Sequence, residues 1–384
     1  MGAGTAQRGA CLLISGKVRK NMEFVVFAGV LLLLFIFMIV QELIQTKNQE
    51  KLFKKYLREN YGKEPPKEYS LERFARLGSY LERHKEEKQL DDITWNDLGM
   101  DEVFRRIDRT YSAAGEEYLY YTLRNISCGR EALEHLEEVV NWLQEQENIK
   151  VRIQLLMKRL GHLGKYSLYD YLDNLDYLGE RSNRKIVLGN LLYLPFLLLL
   201  FVQPAMGTIG IVLCMLWHIM TYFREKKVIE PYIISFAYVL RLIDVCEELE
   251  KQKIPVYRRE LDELREVLKS LRELRRGAYW VMAGNQGKIG GNPLDILADY
   301  LRMILHLDIF QFNRMLEKLR KKTGQVETML AITGYLDMAI SVGGFRKSLE
   351  GYCIPKLEED TEKAFLHMKK GWHPLLSQPV KNSI

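Results

Sequence analysis

The stretch that decides the fold is residues 186–223, IVLGNLLYLPFLLLLFVQPAMGTIGIVLCMLWHIMTYF. It contains no Asp, Glu, Lys or Arg, and it is too long for one crossing of a bilayer, which takes about 20 helical residues. Residues 203–207, QPAMG, supply a tight turn in its middle. The stretch therefore predicts a transmembrane hairpin of two helices, 186–202 and 206–223. A buried helix pair in a soluble protein is the alternative, which the absence of a polar face disfavours.

A second apolar stretch lies near the N-terminus. Residues 22–41 contain the run FVVFAGVLLLLFIFMIV, which has no charged side chain and extends to a length that can span a bilayer. A cleaved signal peptide would have a shorter apolar region that ends in small residues, whereas this run ends in MIVQE. We therefore predict a retained membrane anchor at 22–41 after a tail at 1–21, with Met1 and Met22 both open as the start.

Basic residues beside these stretches predict their orientation, because positively charged flanks stay in the cytoplasm. The turn between the arms is uncharged, whereas three basic residues precede the hairpin and three follow it. They are Arg181, Arg184 and Lys185 before it, and Arg224, Lys226 and Lys227 after it. We expect a multi-pass protein of the cell membrane, in contact with lipid, whose helical body is cytoplasmic. The anchor is followed by a further basic run made of Lys47, Lys51, Lys54, Lys55 and Arg58.

The rest of the chain predicts an all-α body without βαβ alternation. A helical pattern covers residues 100–124, and a helix over 325–341 is expected to stop at Gly343-Gly344. Asn292-Pro293 is typical of a helix start. A coiled-coil-like 3-4-3 spacing is formed by Leu261, Leu264, Leu268 and Leu271. The predicted division is a tail at 1–21, a transmembrane helix at 22–41, a helical part at 42–185, the hairpin at 186–223, a second helical part at 224–371 and a C-terminal segment at 372–384.

Composition bounds the function only loosely. The chain has 384 residues, 47% of them hydrophobic and 28% charged, which is ordinary for a folded protein. Its net charge of +6 suits contact with anionic lipid or nucleic acid, and equally an ordinary solvated surface. The five cysteines are scattered without a CxxC pair, so the sequence predicts free thiols rather than a disulfide framework or a zinc site.

No active-site motif survives inspection. Residues 284–288, GNQGK, resemble part of a phosphate loop, but Met282 stands where the first Gly of GxxxxGK[ST] belongs and Ile289 replaces the hydroxyl. The seven histidines form no HExxH pair. We therefore predict no catalytic, cofactor-binding or metal-binding residues and no enzyme activity for this chain.

Three stretches carry a resemblance to a known family. Residues 94–125 place Thr110 and Gly115 before a Leu-rich helix, residues 332–357 contain Leu336-Asp337, and residues 371–384 read GWHPLLSQPVKNSI. In order and spacing they resemble the core, the returning lever helix and the start of the ATPase domain of the MutS family of DNA mismatch-repair ATPases, in particular its membrane-anchored relatives. Apart from the hairpin, the resemblance covers residues 91–384.

The departures from the family limit what the resemblance implies. The Walker A loop of the family would follow Ile384, so ATP and Mg are expected only if a downstream ATPase domain exists, and a frameshift or a wrongly assigned stop is one explanation. The mismatch-reading domain is missing as well, and Phe223-Arg224-Glu225 matches its Phe-x-Glu motif only where a span ends. The hairpin lies roughly where soluble members carry a DNA clamp.

The resemblance leads to one functional expectation and leaves one alternative. The expectation is a membrane-anchored MutS-like core and lever without its ATPase, which contacts DNA through Lys and Arg or forms a homodimer. The alternative is a membrane-anchored helical scaffold that docks a partner protein and has no role with nucleic acid.

Overall fold

The computed structural model describes residues 36–63, 69, 71–85, 88–126, 129–163, 167–275, 293–357, 365–376 and 378–384. Within these ranges the regular structure is helical, and extended pairing is limited to two isolated antiparallel bridges, Gln89 with Asn125 and Gly371 with Asn382. The prediction of an all-α fold is confirmed for the described residues. The predicted anchor at 22–41 and the Gly-rich loop at 284–288 lie largely or wholly outside them.

The described helices are numbered here in chain order. Residues 36–60 form α1. The others are α2 Leu71–Arg83, α3 Asp92–Asp97, α4 Met100–Ile107, α5 Ala113–Arg124, α6 Arg130–Glu145, α7 Glu147–Leu160, α8 Leu168–Asp173, α9 Arg184–Leu191, α10 Tyr193–Val202, α11 Pro204–Glu250, α12 Arg258–Leu271, α13 Pro293–Leu305, α14 Leu307–Arg320 and α15 Thr323–Lys347.

The chain divides into two compact units. One comprises residues 1–55 and 288–300, and its described parts are helical. The other comprises residues 56–287 and 301–384 and contains the hairpin and the hydrophobic core.

Among the described residues, three helices are long and apolar enough to cross a membrane: Arg184–Val202, Pro204–Glu250 and Thr323–Lys347. The first two supply the arms of the predicted hairpin. Only 6% of the most apolar window of the first is buried in the protein and 28% of the second, against 72% of the third. Thr323–Lys347 is therefore a core helix whose apolar side chains pack against the rest of the protein. The hairpin, in contrast, keeps its apolar side chains on the outside.

The first arm of the hairpin is interrupted at Leu192, between α9 and α10. The cause is Pro195, whose ring has no N–H to donate and crowds the carbonyl one turn earlier. The second arm begins at Pro204, a favoured first helical position, so the connection between the arms is Gln203 alone rather than the five-residue turn that we predicted.

The predicted hairpin boundary at Phe223 is not a helix end. α11 continues as one helix from Pro204 to Glu250, past the interior Pro231. Most of its side chains from Ile233 onward are buried against the body, with Phe236, Val239 and Ile243 at 1% exposure each. One continuous helix therefore joins the apolar hairpin to the core.

α15 is the central helix of the body and packs against α5, α6, α7, α11 and α12. Our prediction that Gly343-Gly344 ends it is wrong, because the helix runs on to Lys347. A Cβ on Gly343 would lie 2.6 Å from the Tyr61 hydroxyl, so this glycine provides close approach rather than a stop.

Other sequence expectations for the body have mixed outcomes. The leucine seam at 261–271 is confirmed, since its four members are buried along α12. The predicted helix start at Pro293 is confirmed as well. The pattern over 100–124 does not form one helix, because residues 108–112 leave the helical path between α4 and α5.

Candidate functional site

A buried polar joint connects α15 to the start of α5. The carboxylate of Asp337, which is fully buried, accepts hydrogen bonds from the backbone N–H groups of Tyr111 (3.0 Å) and Ser112 (2.8 Å). It also accepts from the Ser112 hydroxyl (2.6 Å), whose oxygen in turn accepts from the N–H of Gly115 as the N-cap of α5. A single carboxylate thus holds both the loop before α5 and its cap.

Two glycines allow the helices to meet at this joint. A Cβ on Gly115 would lie 2.6 Å from the Cβ of Asp337, and a Cβ on Gly334 would lie 2.6 Å from the carbonyl oxygen of Ala114. Since such distances are shorter than any normal contact, α5 and α15 can pack this closely only with glycine at both positions.

The joint continues one turn further along α15. The Ser341 hydroxyl donates to the carbonyl of Ile107 (2.8 Å) and accepts from the N–H of Arg109 (2.7 Å). The stretches 94–125 and 332–357, which are far apart in the sequence, therefore meet through hydrogen bonds inside the core.

Glu116 forms a second buried polar cluster beside the joint. Its side chain is fully buried and pairs with Arg73, with Arg76 (2.8 Å) and with His162 (3.4 Å). Burial alone would raise the pKa of this carboxyl, but its bonding to His162 and the positive charge of Arg73 lower it. The cluster ties α2 to α5 with an ionised carboxylate.

The neighbouring Glu117 has the opposite electrostatic state. It accepts a hydrogen bond from the Ser167 hydroxyl (2.9 Å), and burial raises its pKa to about 8. Glu117 is therefore mostly protonated at neutral pH. These adjacent carboxyls are stabilising contacts between helices, and they lie in the core away from the hairpin.

A cavity of about 690 Å³ lies where the hairpin leaves the body. Its walls come from the segment before α9, from α9 and α11, and from the start of α14. The apolar part of the wall includes Ile186, Leu188, Leu192 and Trp217, and the charged part includes Glu180, Arg181, Lys185, Arg224 and Glu225. The cavity thus joins an apolar surface to a mainly basic rim.

Hydrogen bonds fix the base of the hairpin to the body around this cavity. Arg181 pairs with Glu225 on α11 and donates to the Asn313 side-chain oxygen on α14 (3.1 Å). Asn190 on α9 donates to the carbonyl of Leu305 (3.1 Å). The segment before α9, α9 itself, α11, the end of α13 and α14 are therefore bonded together at the base of the hairpin, which sets the direction in which the hairpin projects.

Two buried histidines line the inner wall of the cavity. The ring of His218 hydrogen-bonds the Tyr193 hydroxyl through Nδ1 (2.7 Å), and the ring of His306 lies 5.2 Å from it, edge to face. His306 Nε2 lies 3.3 Å from the Thr221 hydroxyl, and its backbone adopts a left-handed conformation (φ 53°). Burial and the nearby His218 lower the pKa of His306 to about 4, so its ring is neutral at pH 7.

The sequence contains no catalytic or metal-binding motif that we could identify, and the described residues add no metal centre. Among them, no group of three or more His, Cys, Asp or Glu side chains is arranged to hold a metal ion. Cys214 and Cys246 are buried free thiols and Cys353 is an exposed one. Their free state agrees with the prediction for these three residues.

No family model matches this chain, and neither a curated protein nor a solved structure matches it. The MutS resemblance therefore stays a prediction that depends on the quoted residues.

The sequence reasoning missed the cavity. It used Arg181, Lys185 and Arg224 only to orient the hairpin. The sequence did contain a signal for it. The two ends of a helical hairpin lie side by side, so the basic residues that flank the apolar stretch are expected to come together there. His306, distant in sequence, carried no signal of its own.

Proposed function

We propose that this chain is a membrane-anchored helical lever protein related to the core and lever of MutS, with its hairpin in the cell membrane and its body in the cytoplasm. The proposal assigns DNA or a second copy of the chain as the partner of the body. It assigns no catalytic role to the described residues.

The observation that carries the proposal is the continuity of α11. Its first half belongs to the exposed apolar hairpin and its second half to the core, where it packs against α7, α12 and α15. A helix of this length spans about 70 Å at 1.5 Å per residue. Because it is continuous, a displacement of the hairpin is transmitted along it to the core. The bonded base around Arg181 makes that coupling stiff.

The family part of the proposal is supported by the joint at Asp337. The two stretches that resemble the MutS core and its returning helix are in direct contact there. Such contact is what a shared core requires, since segments that define one fold have to pack against each other.

The membrane part of the proposal is supported by exposure. Large apolar side chains cover the hairpin surface, with Leu198 at 69%, Phe201 at 89% and Met220 at 74% exposure. Soluble proteins rarely leave so much contiguous apolar surface in water, whereas lipid removes the cost. Basic residues at both hairpin ends favour a cytoplasmic body.

The test of the DNA partner is salt-dependent binding of duplex DNA by the full chain in lipid nanodiscs. We expect the affinity to fall steeply as salt rises, because each phosphate contact releases a counterion. Empty nanodiscs of the same lipid are the control. Absence of binding at 50 mM salt would overturn a DNA partner.

The scaffold alternative is favoured by one specific observation. Near the C-terminus, Phe365, Leu366, Val380 and Ile384 expose between 61% and 76% of their surface. An apolar surface of this kind suits a protein partner rather than a nucleic acid. Sedimentation of the nanodisc-embedded chain distinguishes a homodimer from a complex with a partner protein. A homodimer doubles the protein mass, whereas a bound partner adds its own, different mass.

A further inference from the structure

We propose that the cavity at the base of the hairpin binds the phosphate headgroup of an anionic membrane lipid. The inference rests on the membrane placement in the proposed function, because only that placement brings lipid to the cavity. It goes beyond that function by assigning a ligand and the residues that recognise it.

Position is the first argument. The cavity is lined by both ends of the hairpin, Lys185 and Ile186 at the entry and Thr221 and Arg224 at the exit. If the apolar residues 186–223 lie in the hydrocarbon, these ends lie at the level of the lipid headgroups. Basic pockets between transmembrane helices on the cytoplasmic side are suited to anionic headgroups.

The available cations are the second argument. Arg181 is engaged by Glu225 and Asn313 and therefore serves to hold the base together. Lys185 and Arg224 also line the cavity, both are exposed, and they form no ion pair with another described residue. They lie at the two ends of the hairpin and line the same cavity, so a phosphate group bound there has both a Lys and an Arg in its walls.

The apolar wall is the third argument. Leu188 is 65% exposed and Trp217 50% exposed, and both border the cavity on the side of the hairpin surface. Trp is typical of the membrane interface, where its ring contacts lipid and its N–H can contact headgroups. A lipid can therefore place its headgroup in the cavity while its acyl chains continue along the hairpin, which a free phosphate cannot do.

The neutral histidines define what the inner wall can contribute. Burial lowers the pKa of His306 to about 4, and the ring adds no positive charge at pH 7. Recognition of charge is therefore left to Lys185 and Arg224. Glu180 and Glu225 add negative charge to the same wall, which limits the number of anionic groups to about one.

The test compares ligands on the purified full chain in detergent micelles. Dioleoyl phosphatidylglycerol, dioleoyl phosphatidylcholine and glycerol 3-phosphate are titrated separately, and binding is measured by native mass spectrometry and by the unfolding temperature. We expect phosphatidylglycerol to bind at least about tenfold more tightly than phosphatidylcholine. Glycerol 3-phosphate is expected to give no shift at the same concentration.

The variant that tests the residues is K185Q with R224Q, and the matched control is K251Q with K253Q. The control removes the same charge from exposed residues near the other end of α11, away from the cavity. We expect the cavity variant to lose about tenfold or more in affinity for phosphatidylglycerol and the control to keep it. Equal losses in the two variants would mean bulk charge attraction and would overturn the site.

Two other results would overturn the proposal as well. Equal binding of the two lipids would mean that the anionic headgroup is not what the cavity recognises. A rise in the unfolding temperature with glycerol 3-phosphate would mean that a free phosphate suffices and that the ligand need not be a lipid. A separate flotation experiment with liposomes tests the membrane placement itself. Flotation of the chain without preference for phosphatidylglycerol would reject the lipid site alone, whereas failure to float would reject the placement in the proposed function.

Discussion

The carboxylate of Asp337 is the common acceptor for several buried hydrogen-bond donors. It is buried without exposure to solvent, and its hydrogen bonds replace the water that an ionised carboxyl would otherwise hold. The donors are two backbone N–H groups and a hydroxyl, which are themselves buried and need an acceptor.

Replacing Asp337 by Ala is expected to lower the free energy of unfolding by about 3 kcal/mol or more, because three donors lose their acceptor. Asp337→Asn keeps one acceptor oxygen and should cost less. Chemical denaturation of the full chain in detergent measures both. Asp262→Asn, at an exposed pair on α12, is the control and should change little. A loss in D337A no larger than in D262N would contradict this account of the joint.

Glu117 predicts a pH dependence of stability. Its pKa is about 8 in the folded chain and 4.5 in a free side chain, so the folded state holds the proton more tightly. The stabilisation from the protonated carboxyl is therefore complete below pH 4.5 and is lost as the pH rises through 8. Neighbouring Arg76, Glu116 and Asp170 also act on this group, and burial is the largest influence.

We expect the wild-type chain to lose about 3 kcal/mol relative to Glu117→Gln between pH 5.5 and pH 8. Unfolding temperatures of the two proteins across this range provide the measurement, and the difference between them removes the contribution of other titrating groups. The exposed Glu266→Gln serves as the control and should track the wild type. A constant difference between wild type and E117Q would show that Glu117 has no raised pKa.

Helix packing in the hairpin depends on two glycines of α11. A Cβ on Gly207 would lie 2.6 Å from the backbone nitrogen of Leu200, and one on Gly210 would overlap the ring of Phe196. In lipid no hydrophobic effect drives helices together, so close contact between small residues is what holds α10 to α11.

Gly207→Ala is therefore expected to separate the arms and lower the stability of the hairpin by about 1–3 kcal/mol. Loss of the helical circular dichroism signal on heating in detergent should begin at a lower temperature. Gly324→Ala on α15 is matched in chemistry, and its Cβ meets nothing within 4 Å. If the two variants melt alike, the arms do not pack as closely as these distances imply.

At the scale of elements, the sequence patterns predicted the type of each long helix better than its end. The seam at 261–271 and the start at Pro293 follow from local rules of spacing and capping. The ends at Phe223 and Gly343 were predicted wrongly because composition changes there but the helix does not. Burial of the second half of α11 and contacts at Gly343 extend both helices beyond what local preference indicates.

The molecule as a whole combines an exposed apolar hairpin with a body that has a buried hydrophobic core. Thr323–Lys347 and Arg184–Val202 are each long and apolar enough for a membrane span, although the second is the more apolar. The two helices differ in how much of their apolar surface the rest of the protein covers. Which helix enters the membrane, and in which direction, is therefore a prediction about the whole molecule.

The proposed orientation predicts which cysteines a membrane-impermeant maleimide reaches in intact cells. A cysteine at Ala205, beside the connection between the arms, should be labelled from outside. Native Cys353 is exposed on the body and should be labelled only after the membrane is permeabilised. Mass spectrometry of the labelled peptides provides the measurement. Labelling of Cys353 in intact cells would place the body outside and reverse the topology.

The sequence by itself determined the helical class, the apolar hairpin and the basic residues beside it, because each depends on neighbours in the chain. It left open which apolar helices are core and which are surface, since composition does not say what lies opposite a side chain. The tertiary structure decided that Thr323–Lys347 is a core helix and that α11 is continuous. It also joined Asp337 to Ser112 and His306 to His218, because contacts between distant residues arise only when helices pack.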